Sequence, residues 1–335
     1  MTEGNGLLYR QQFIMGPRRV DEFDSWKKHE VTPSLIITSH PALNIRYTSQ
    51  ENRSLTLVGY IIDPENPYAD DDDILTRLLS QNADPGGLIQ STYDLCGNWI
   101  LIYGQGDAVF LFHDCGGIRS VFYTDPKTRA DLWFASQPRL IATLSDFEED
   151  EKAVEFIASQ KARVSDHWWP GDTSPYSQVK ALLPNHYFDI QNRRIERYWP
   201  DLSVSPLSRG EGIRKISSRL QRIMSAAAHR FDLAIGLSGG LDSRVVLAAS
   251  REVKKQVSIY NGKRPEMSPK HPDITIPRRL ASRLNIDFHY IPQSRNVNGS
   301  FRSAYEMNAS HAPVQMLYGL QSQLRYFDQR KVAVT

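Results

Sequence analysis

The segment that most constrains this chain is LAIGLSGGLDSRVVLAAS, Leu233 to Ser250. A short apolar run comes first, a turn with two adjacent glycines follows, and a second apolar run with helical composition closes the segment. This order predicts a buried strand, a tight turn and a helix. Backbone amides at such a turn converge on one space, and the positive end of the helix dipole lies behind them. The turn is therefore suited to hold an anion.

The residues of this turn supply the donors that a polyphosphate needs. Gly239 and Gly240 carry no Cβ atom, so the main chain can approach a ligand closely. Ser238 and Ser243 add hydroxyl donors, and Asp242 can cap the helix or hold the magnesium ion that accompanies a polyphosphate. The spacing matches neither the Walker pattern nor the dinucleotide-binding fingerprint. On these physical grounds alone, a plain connection between strand and helix explains the turn equally well.

Strands and helices alternate throughout the second part of the sequence. Apolar residues recur at three- and four-residue spacing from Ile213 to Ala227, which predicts an amphipathic helix. The later segments predict strands at LAIGLS, QVSIY, FHYI and KVAVT, and helices at SRVVLAAS, IPRRLASRL and PVQMLYGLQSQLRYF. This alternation predicts an α/β fold with a doubly wound parallel sheet. Because Thr335 directly follows an apolar strand, we expect the domain to be truncated at its C-terminus.

The first part of the sequence reads instead as antiparallel sheet. Short segments rich in β-branched and aromatic residues predict strands at LTLVGYII, NWILIYG, AVFLFHD, SVFYTD and DLWFAS. Helices are predicted at 71–81, where acidic residues begin an apolar stripe, and at 145–159; 166–184 is predicted as loop. A polar segment with Pro and Gly at 200–212 has the composition of a linker. We therefore expect two domains, 1–200 and 201–335.

Composition and charge restrict the kinds of molecule that this protein is expected to bind. The 40 basic and 38 acidic residues give a net charge of +2, and their mixed distribution provides no footprint for nucleic acid. The N-terminus lacks the basic flank and apolar core of a signal peptide, and no apolar run approaches the roughly 20 residues that span a bilayer. We expect a cytoplasmic protein that binds neither nucleic acid nor membrane.

Several motifs together resemble one enzyme family. SGGLDS after LAIGL resembles the PP-loop of the N-type ATP pyrophosphatases, and most of the chain resembles the asparagine synthetase family, which includes β-lactam synthetases and lasso-peptide cyclases. In family order, the supporting residues are Asp114, Gly117 and Arg119, the strand at 134–136, and the segment 182–200 with Asn185 where glycine is usual. The resemblance implies a glutamine-amidotransferase-like (Ntn-type) α+β sandwich followed by a PP-loop domain.

The resemblance also implies an activity. A carboxylate would attack the α-phosphorus of ATP to give an acyl-adenylate and pyrophosphate, and an amine would then displace AMP. ATP and Mg²⁺ are the implied cofactors. The implied partners are a small-molecule or peptide carboxylate and an amine acceptor, and the resemblance leaves a homodimer open.

The family's site residues carry over by position. Ser238, Gly239, Gly240, Asp242 and Ser243 would hold the pyrophosphate, with Asp242 also binding the metal. Leu237 and Tyr260 would flank the adenine, or simply belong to the core. Arg244 would pair with a phosphate or the substrate carboxylate, with a surface ion pair as the alternative. Glu306 would act as base toward the amine, or is an ordinary exposed helical glutamate.

Three departures limit the analogy. Ala309 stands where the family often has a second magnesium-binding aspartate. The chain begins Met-Thr-Glu instead of exposing a catalytic cysteine, and 58–63 lacks the asparagines of the glutamine pocket. We therefore expect an inactive glutaminase half, with free ammonia or the substrate's own amine as acceptor. A noncatalytic scaffold, and a PP-loop protein with different chemistry, remain alternatives.

Overall fold

A computed structural model describes residues 6–128, 130–163, 169–200, 205–309, 314–327 and 331–334. The chain forms two compact units. The first comprises Met1–Ile61, Asp70–Val204 and Ser300–Pro313, and the second comprises Ile62–Ala69, Ser205–Gly299 and Val314–Thr335. The main part of the first unit thus ends at 204, four residues after the expected boundary at 200. Two short segments, 62–69 and 300–313, belong to the unit on the other side of this boundary.

The first unit contains two six-stranded sheets. Its strands are β1 Phe13–Gly16, β2 Lys27–Thr32, β3 Leu35–Ser39, β4 Ile45–Gln50, β5 Arg53–Ile62, β6 Cys96–Gln105, β7 Ala108–His113, β8 Phe122–Thr124, β9 Phe134–Ala135, β10 Val179–Ala181, β11 His186–Asp189 and β12 Arg194–Arg197. One sheet has the order β10-β8-β9-β1-β3-β2 and the other β12-β11-β7-β6-β5-β4. The pairings between neighbouring strands, such as β1 with β3 and β6 with β7, are antiparallel. The predicted antiparallel organisation is confirmed.

The two sheets share one apolar core. Phe13, Ile37 and Phe134 of the first sheet pack in the same buried cluster as Leu111 and Phe188 of the second. Since strands alternate the direction of their side chains, alternate residues of β1 and β6 enter this cluster, Phe13 with Met15 and Ile100 with Ile102. The core is thus the layer between the two sheets.

Glycine allows the neighbouring strands β5 and β6 to approach closely. Gly59 has φ +109°, and a Cβ placed there would lie 2.1 Å from the carbonyl oxygen of Asn98. Gly97 has φ +120°, and its Cβ would lie 2.3 Å from the carbonyl oxygen of Tyr60. Only glycine satisfies both the backbone conformation and the space at these positions.

The helices of the first unit are α1 Asp71–Gln81, α2 Pro85–Ser91, α3 Pro138–Ser145, α4 Glu151–Arg163 and, from the later segment, α8 Gly299–Asn308. Helix α1 matches its predicted bounds. The predicted helix at 145–159 is wrong at its start, because α3 ends at Ser145, Asp146 adopts the left-handed conformation with φ 54°, and α4 begins only at Glu151. The short strand β10 also lies within the segment predicted as loop, of which 166–168 fall outside the described residues.

The second unit is built on a parallel sheet. Its elements are α5 Arg209–Arg230, β13 Asp232–Gly236, α6 Leu241–Ala249, β14 Val257–Lys263, α7 Pro272–Leu284, β15 Phe288–Pro292, α9 Val314–Tyr326 and β16 Lys331–Val334. The strand order is β15-β14-β13-β16, and each neighbouring pair is parallel. Ile259 packs with Leu237 and Leu247, whereas the next residue, Tyr260, packs with Ala234 and Ile291. Successive residues of β14 therefore enter different apolar clusters, as expected for a parallel sheet buried on both faces.

Helix α5 differs from its prediction in two respects. It begins at Arg209, inside the segment expected to be a linker, because Ser208 and Glu211 form a capping box. Ile213 and Ile216 are 55% and 62% exposed, so the first half of the predicted apolar stripe faces solvent. Burial is confined to the later turns, at residues such as Met224 and Ala227.

Among the described residues, every helix is too short or too polar to cross a bilayer.

Candidate functional site

The SGGLDS turn lies between β13 and α6, at the carboxyl end of the central parallel strand pair. Two hydrogen bonds to β14 fix its start: Leu237 N donates to the carbonyl oxygen of Tyr260 at 2.8 Å, and Asn261 Nδ2 donates to the carbonyl oxygen of Leu237 at 2.6 Å. Gly240 is the N-cap of α6 and offers no side-chain acceptor to the first turn of the helix. The strand, turn and helix predicted from the sequence are confirmed.

The two serines of the turn form its internal frame. Ser243 Oγ accepts a hydrogen bond from Ser238 N at 3.1 Å, and the two hydroxyl oxygens lie 3.1 Å apart. Ser238 Oγ also accepts from Gly240 N at 3.1 Å. Both hydroxyls are therefore held inside the curve of the loop, together with the first turn of α6.

Gly239 packs against the start of a second helix, α7. A Cβ at Gly239 would lie 3.1 Å from Pro272 Cβ and 3.2 Å from Asp273 Oδ1. The amide of Gly239 donates to Asp273 Oδ1 at 2.7 Å. Asp273 is not among the residues predicted from the sequence; the signal for it is a Pro-Asp pair that opens the helix after β14.

Arg244 folds back onto the loop. Its Nε donates to the carbonyl oxygen of Gly240 at 2.9 Å, and one terminal guanidinium nitrogen donates to the carbonyl oxygen of Gly239 at 3.3 Å. These bonds place a positive charge beside the turn. Pairing of Arg244 with a phosphate or a substrate carboxylate stays a prediction.

Asp242 lies in the first turn of α6 with an exposed side chain. One carboxylate and two nearby serine hydroxyls are oxygen donors of the kind that Mg²⁺ prefers. Within the described part of the chain, no group of three or more His, Cys, Asp or Glu side chains is placed to hold a metal. A magnesium ion bound at this loop would therefore take most of its ligands from phosphate and water, rather than from the protein alone.

Leu237 and Tyr260 are core residues. Their exposed fractions are 1% and 2%, and the ring of Tyr260 packs edge-on against Phe327 at 4.9 Å between centroids. Burial raises the pKa of the Tyr260 hydroxyl. Contact of either residue with adenine stays a prediction.

Glu306 belongs to α8, in the first unit, whereas the loop residues belong to the second. Its side chain is 62% exposed, and its Oε1 lies 3.9 Å from a guanidinium nitrogen of Arg302 one helical turn earlier. Ala309 directly follows this helix, and its amide donates to the carbonyl oxygen of Tyr305 at 3.0 Å. A role for Glu306 as base stays a prediction.

In the first unit, the hairpin that resembles the amidotransferase domain is organised by Asp114. One carboxylate oxygen accepts from the amide of Ile118 at 2.9 Å, and the other accepts from that of Arg119 at 2.9 Å. Gly117 has φ +61°, where a Cβ would lie 2.9 Å from His113 Cε1. These residues build a turn. Thr2 lies outside the described residues, so the expected loss of glutamine hydrolysis stays a prediction.

Comparisons with known proteins find similarity to solved structures, of which three are given below. No protein-family model matches the chain, and no curated protein matches it. Similar solved structures include a glutamine phosphoribosylpyrophosphate amidotransferase from B. subtilis complexed with ADP and GMP, at 11% identity and a TM-score of 0.34, covering 89% of this chain and 63% of that one.

A glutamine-dependent NAD⁺ synthetase from Acinetobacter baumannii in complex with ADP is 18% identical, with a TM-score of 0.24, over 45% of this chain and 30% of that one. A structure described as the allosteric regulatory enzyme of purine biosynthesis is 11% identical, with a TM-score of 0.34, over 97% and 89%. This chain thus spans less than two thirds of the length of the first two. At these identities and TM-scores, the similarities support no conclusion about the function of this chain.

Proposed function

We propose that this chain binds ATP with Mg²⁺ at the loop Ser238–Ser243 and activates a carboxylate as an acyl-adenylate for amide formation. The observation that carries the proposal is the placement of Gly239, Gly240, two serine hydroxyls and the N-terminus of α6 together at the carboxyl end of β13. In open α/β sheets, ligands bind at this end of the strands. The loop would hold the β- and γ-phosphates.

In the proposed reaction, the largest change of charge would occur on the pyrophosphate, beside this loop. A carboxylate oxygen forms a bond to the α-phosphorus while the bond from that phosphorus to the bridging oxygen breaks, and pyrophosphate leaves. Negative charge grows on the departing pyrophosphate, so donors aimed at it stabilise the transition state more than the ground state. Asp242 would help to hold a Mg²⁺ ion, which would supply further positive charge to the departing pyrophosphate.

The second step forms the amide. An amine attacks the acyl carbon, AMP departs with the electron pair of the acyl–oxygen bond, and the ammonium proton passes to a base, for which Glu306 is the candidate. The acceptor is free ammonia in an asparagine synthetase-like reaction, or the substrate's own amine in a ring-closing one. Both acceptors use the same adenylation step.

The test is substrate-stimulated release of AMP and pyrophosphate from ATP and Mg²⁺. Aspartate with ammonia is the first substrate pair, and Asp242→Ala is the variant expected to abolish release. The matched control is Asp232→Ala, which removes an exposed carboxylate at the opposite end of β13. Release that needs other carboxylates would indicate a ring-closing or conjugating ligase. Silence across a broad carboxylate panel, with no ATP binding, would support a noncatalytic scaffold.

A further inference from the structure

One amide of the proposed phosphate loop already has an anionic partner. The amide of Gly239 donates to Asp273 Oδ1 at 2.7 Å, a length typical of a charge-assisted hydrogen bond. The amides of Ser238 and Gly240 donate instead to neutral serine hydroxyls. A carboxylate therefore occupies one of the donors that a bound phosphate group would use.

The position of Asp273 is built into the fold. The residue lies in the first turn of α7, where its amide donates to Nδ1 of the N-cap residue His271 at 3.2 Å. A carboxylate at this place is stabilised by the dipole of α7. Pro272 packs against Gly239 closely enough that a Cβ on the glycine would lie 3.1 Å from Pro272 Cβ. The side chain of Asp273 is 30% exposed, so solvent screens its charge only in part.

This arrangement has an electrostatic consequence for ligands. A free polyphosphate that approaches the loop meets a like charge and must also replace it on the amide of Gly239. A polyphosphate that arrives with a divalent cation carries the counter-charge for the displaced carboxylate. Asp273 therefore penalises the metal-free anion more than the metal complex.

We propose that Asp273 is a specificity-determining residue: it makes the loop select magnesium-complexed nucleotide over free polyphosphate anions. This inference rests on the proposed function, because it concerns the same loop. The role differs from that of Asp242, which is exposed on α6 and available to the metal directly.

The test measures binding by isothermal titration calorimetry, with pyrophosphate and ATP as probes, each with EDTA and with excess Mg²⁺. The variant is Asp273→Asn, whose amide oxygen can still accept from Gly239 N while its charge is gone. We expect Asp273→Asn to bind metal-free pyrophosphate about tenfold more tightly than wild type, the order expected when a nearby like charge is removed from a partly screened site. The ratio of the dissociation constants without and with Mg²⁺ should fall by a similar factor.

Two controls isolate the local charge. Asp287→Asn removes an exposed carboxylate elsewhere in the second unit and should leave the ratio unchanged. Asp273→Ser keeps a residue favoured at helix N-termini and should reproduce the effect if the asparagine variant does not fold.

The outcomes separate this inference from the proposed function. Equal weakening of metal-free and metal-bound ligands, or an unchanged ratio, would overturn the inference and leave Asp273 as a residue that only shapes the loop. If wild type binds Mg²⁺-ATP and Asp242→Ala does not, the proposed function stands in either case. If neither wild type nor Asp273→Asn binds Mg²⁺-ATP, both proposals are wrong.

Discussion

Gly239 is the residue whose replacement tests the loop most severely. A Cβ there would crowd Pro272 and Asp273 at 3.1–3.2 Å, and the nearest atoms include backbone. We expect Gly239→Ala to abolish ATP binding and to lower the free energy of unfolding by about 1–3 kcal/mol, as for overpacking. Calorimetric titration and denaturant unfolding measure the two effects.

The matched control is Gly212→Ala on helix α5, where a Cβ would meet nothing within 4 Å. Alanine should stabilise that helix by about 0.5–1 kcal/mol and leave ATP binding unchanged. Full ATP affinity in Gly239→Ala would mean that close packing at the loop is not needed for binding.

The side chain of His113 makes the free energy of unfolding depend on pH. His113 is 1% exposed, and burial is the main cause that lowers the pKa of its ring. Its ring nitrogens lie 3.2 Å from the carbonyl oxygen of Leu183 and 3.3 Å from that of Arg119. These contacts and the charge of Asp114 favour the protonated ring and oppose the shift, and His186 adds to it. The folded state thus binds the proton less well than the unfolded state, whose pKa is about 6.5.

The sign follows from linkage. The contribution of His113 is fully present above a pH of about 6.5 and is lost as the pH falls through and below that value. We expect the unfolding free energy to fall on acidification below this pH, and the fall to be smaller in His113→Gln. Urea unfolding between pH 5 and 8 measures it. His40→Gln, at a less buried ring with the same direction of pKa shift, should remove less of the dependence; equal pH profiles in His113→Gln and wild type would contradict the assignment.

Among the single elements, helix α1 is one whose bounds could be predicted from local sequence alone. Asp70 accepts from the amide of Asp73 at 2.9 Å, and the side chain of Asp73 accepts from the amide of Asp70 at 3.2 Å. We expect Asp70→Ala to lower the thermal midpoint, with a loss of about 1 kcal/mol. Asp72→Ala, in the same first turn, should cost only a few tenths of a kcal/mol through the helix dipole. Equal losses would show that the cap bonds contribute nothing.

The elements that the sequence did not predict depend on non-local contacts or on unusual backbone. Asp146 ends α3 in a left-handed conformation that glycine or asparagine more often adopts, so the sequence showed no break there. Strand β10 has three residues and forms only because Val179 pairs with Thr124 of β8, far earlier in the chain. In contrast, the alternation of strands and helices in the second unit follows from local periodicity. Strands β13 to β16 overlap the predicted segments, whereas α5 and α7 begin before their predicted starts, at Arg209 and Pro272.

In the candidate site, too, some residues could be predicted from local sequence and others could not. The glycine and serine residues of the loop could be assigned from the segment alone, because strand, turn and helix are contiguous in sequence. Asp273 lies 34 residues after Gly239 and meets it only when β14 and α7 fold back beside the loop. The burial of Tyr260 likewise depends on Phe327, far along the chain.

In the molecule as a whole, two segments belong to a different unit from the residues that flank them in sequence. Glu65 forms an ion pair with Arg222 of α5, which ties 62–69 to the second unit. Asn308 ties α8 to the first unit: its Oδ1 accepts from Tyr9 N at 2.6 Å, and its Nδ2 donates to the carbonyl oxygen of Leu7 at 2.8 Å. Linear sequence could not predict this exchange, because it rests on contacts between residues 157 to 301 positions apart.

We therefore expect Asn308→Ala to release the N-terminal segment from α8. Both bonds join a side-chain amide to backbone groups, so their loss should cost about 1–3 kcal/mol and remove the hydrogen-exchange protection of the Tyr9 amide. Hydrogen exchange with mass spectrometry measures the protection. The control is Asn296→Ala, at an exposed position before α8. Unchanged protection at Tyr9 in Asn308→Ala would contradict the structural role given to Asn308.

The proposed binding of the ATP polyphosphate by Ser238–Ser243, in an enzyme that adenylates a carboxylate, can be tested by one assay. The assay follows pyrophosphate release from ATP and Mg²⁺ in the presence of a carboxylate substrate, for wild type, Asp242→Ala and Asp232→Ala. We expect wild type and Asp232→Ala to release pyrophosphate and Asp242→Ala to release none. Carboxylate-dependent release that persists undiminished in Asp242→Ala would rule out the proposed role of this loop.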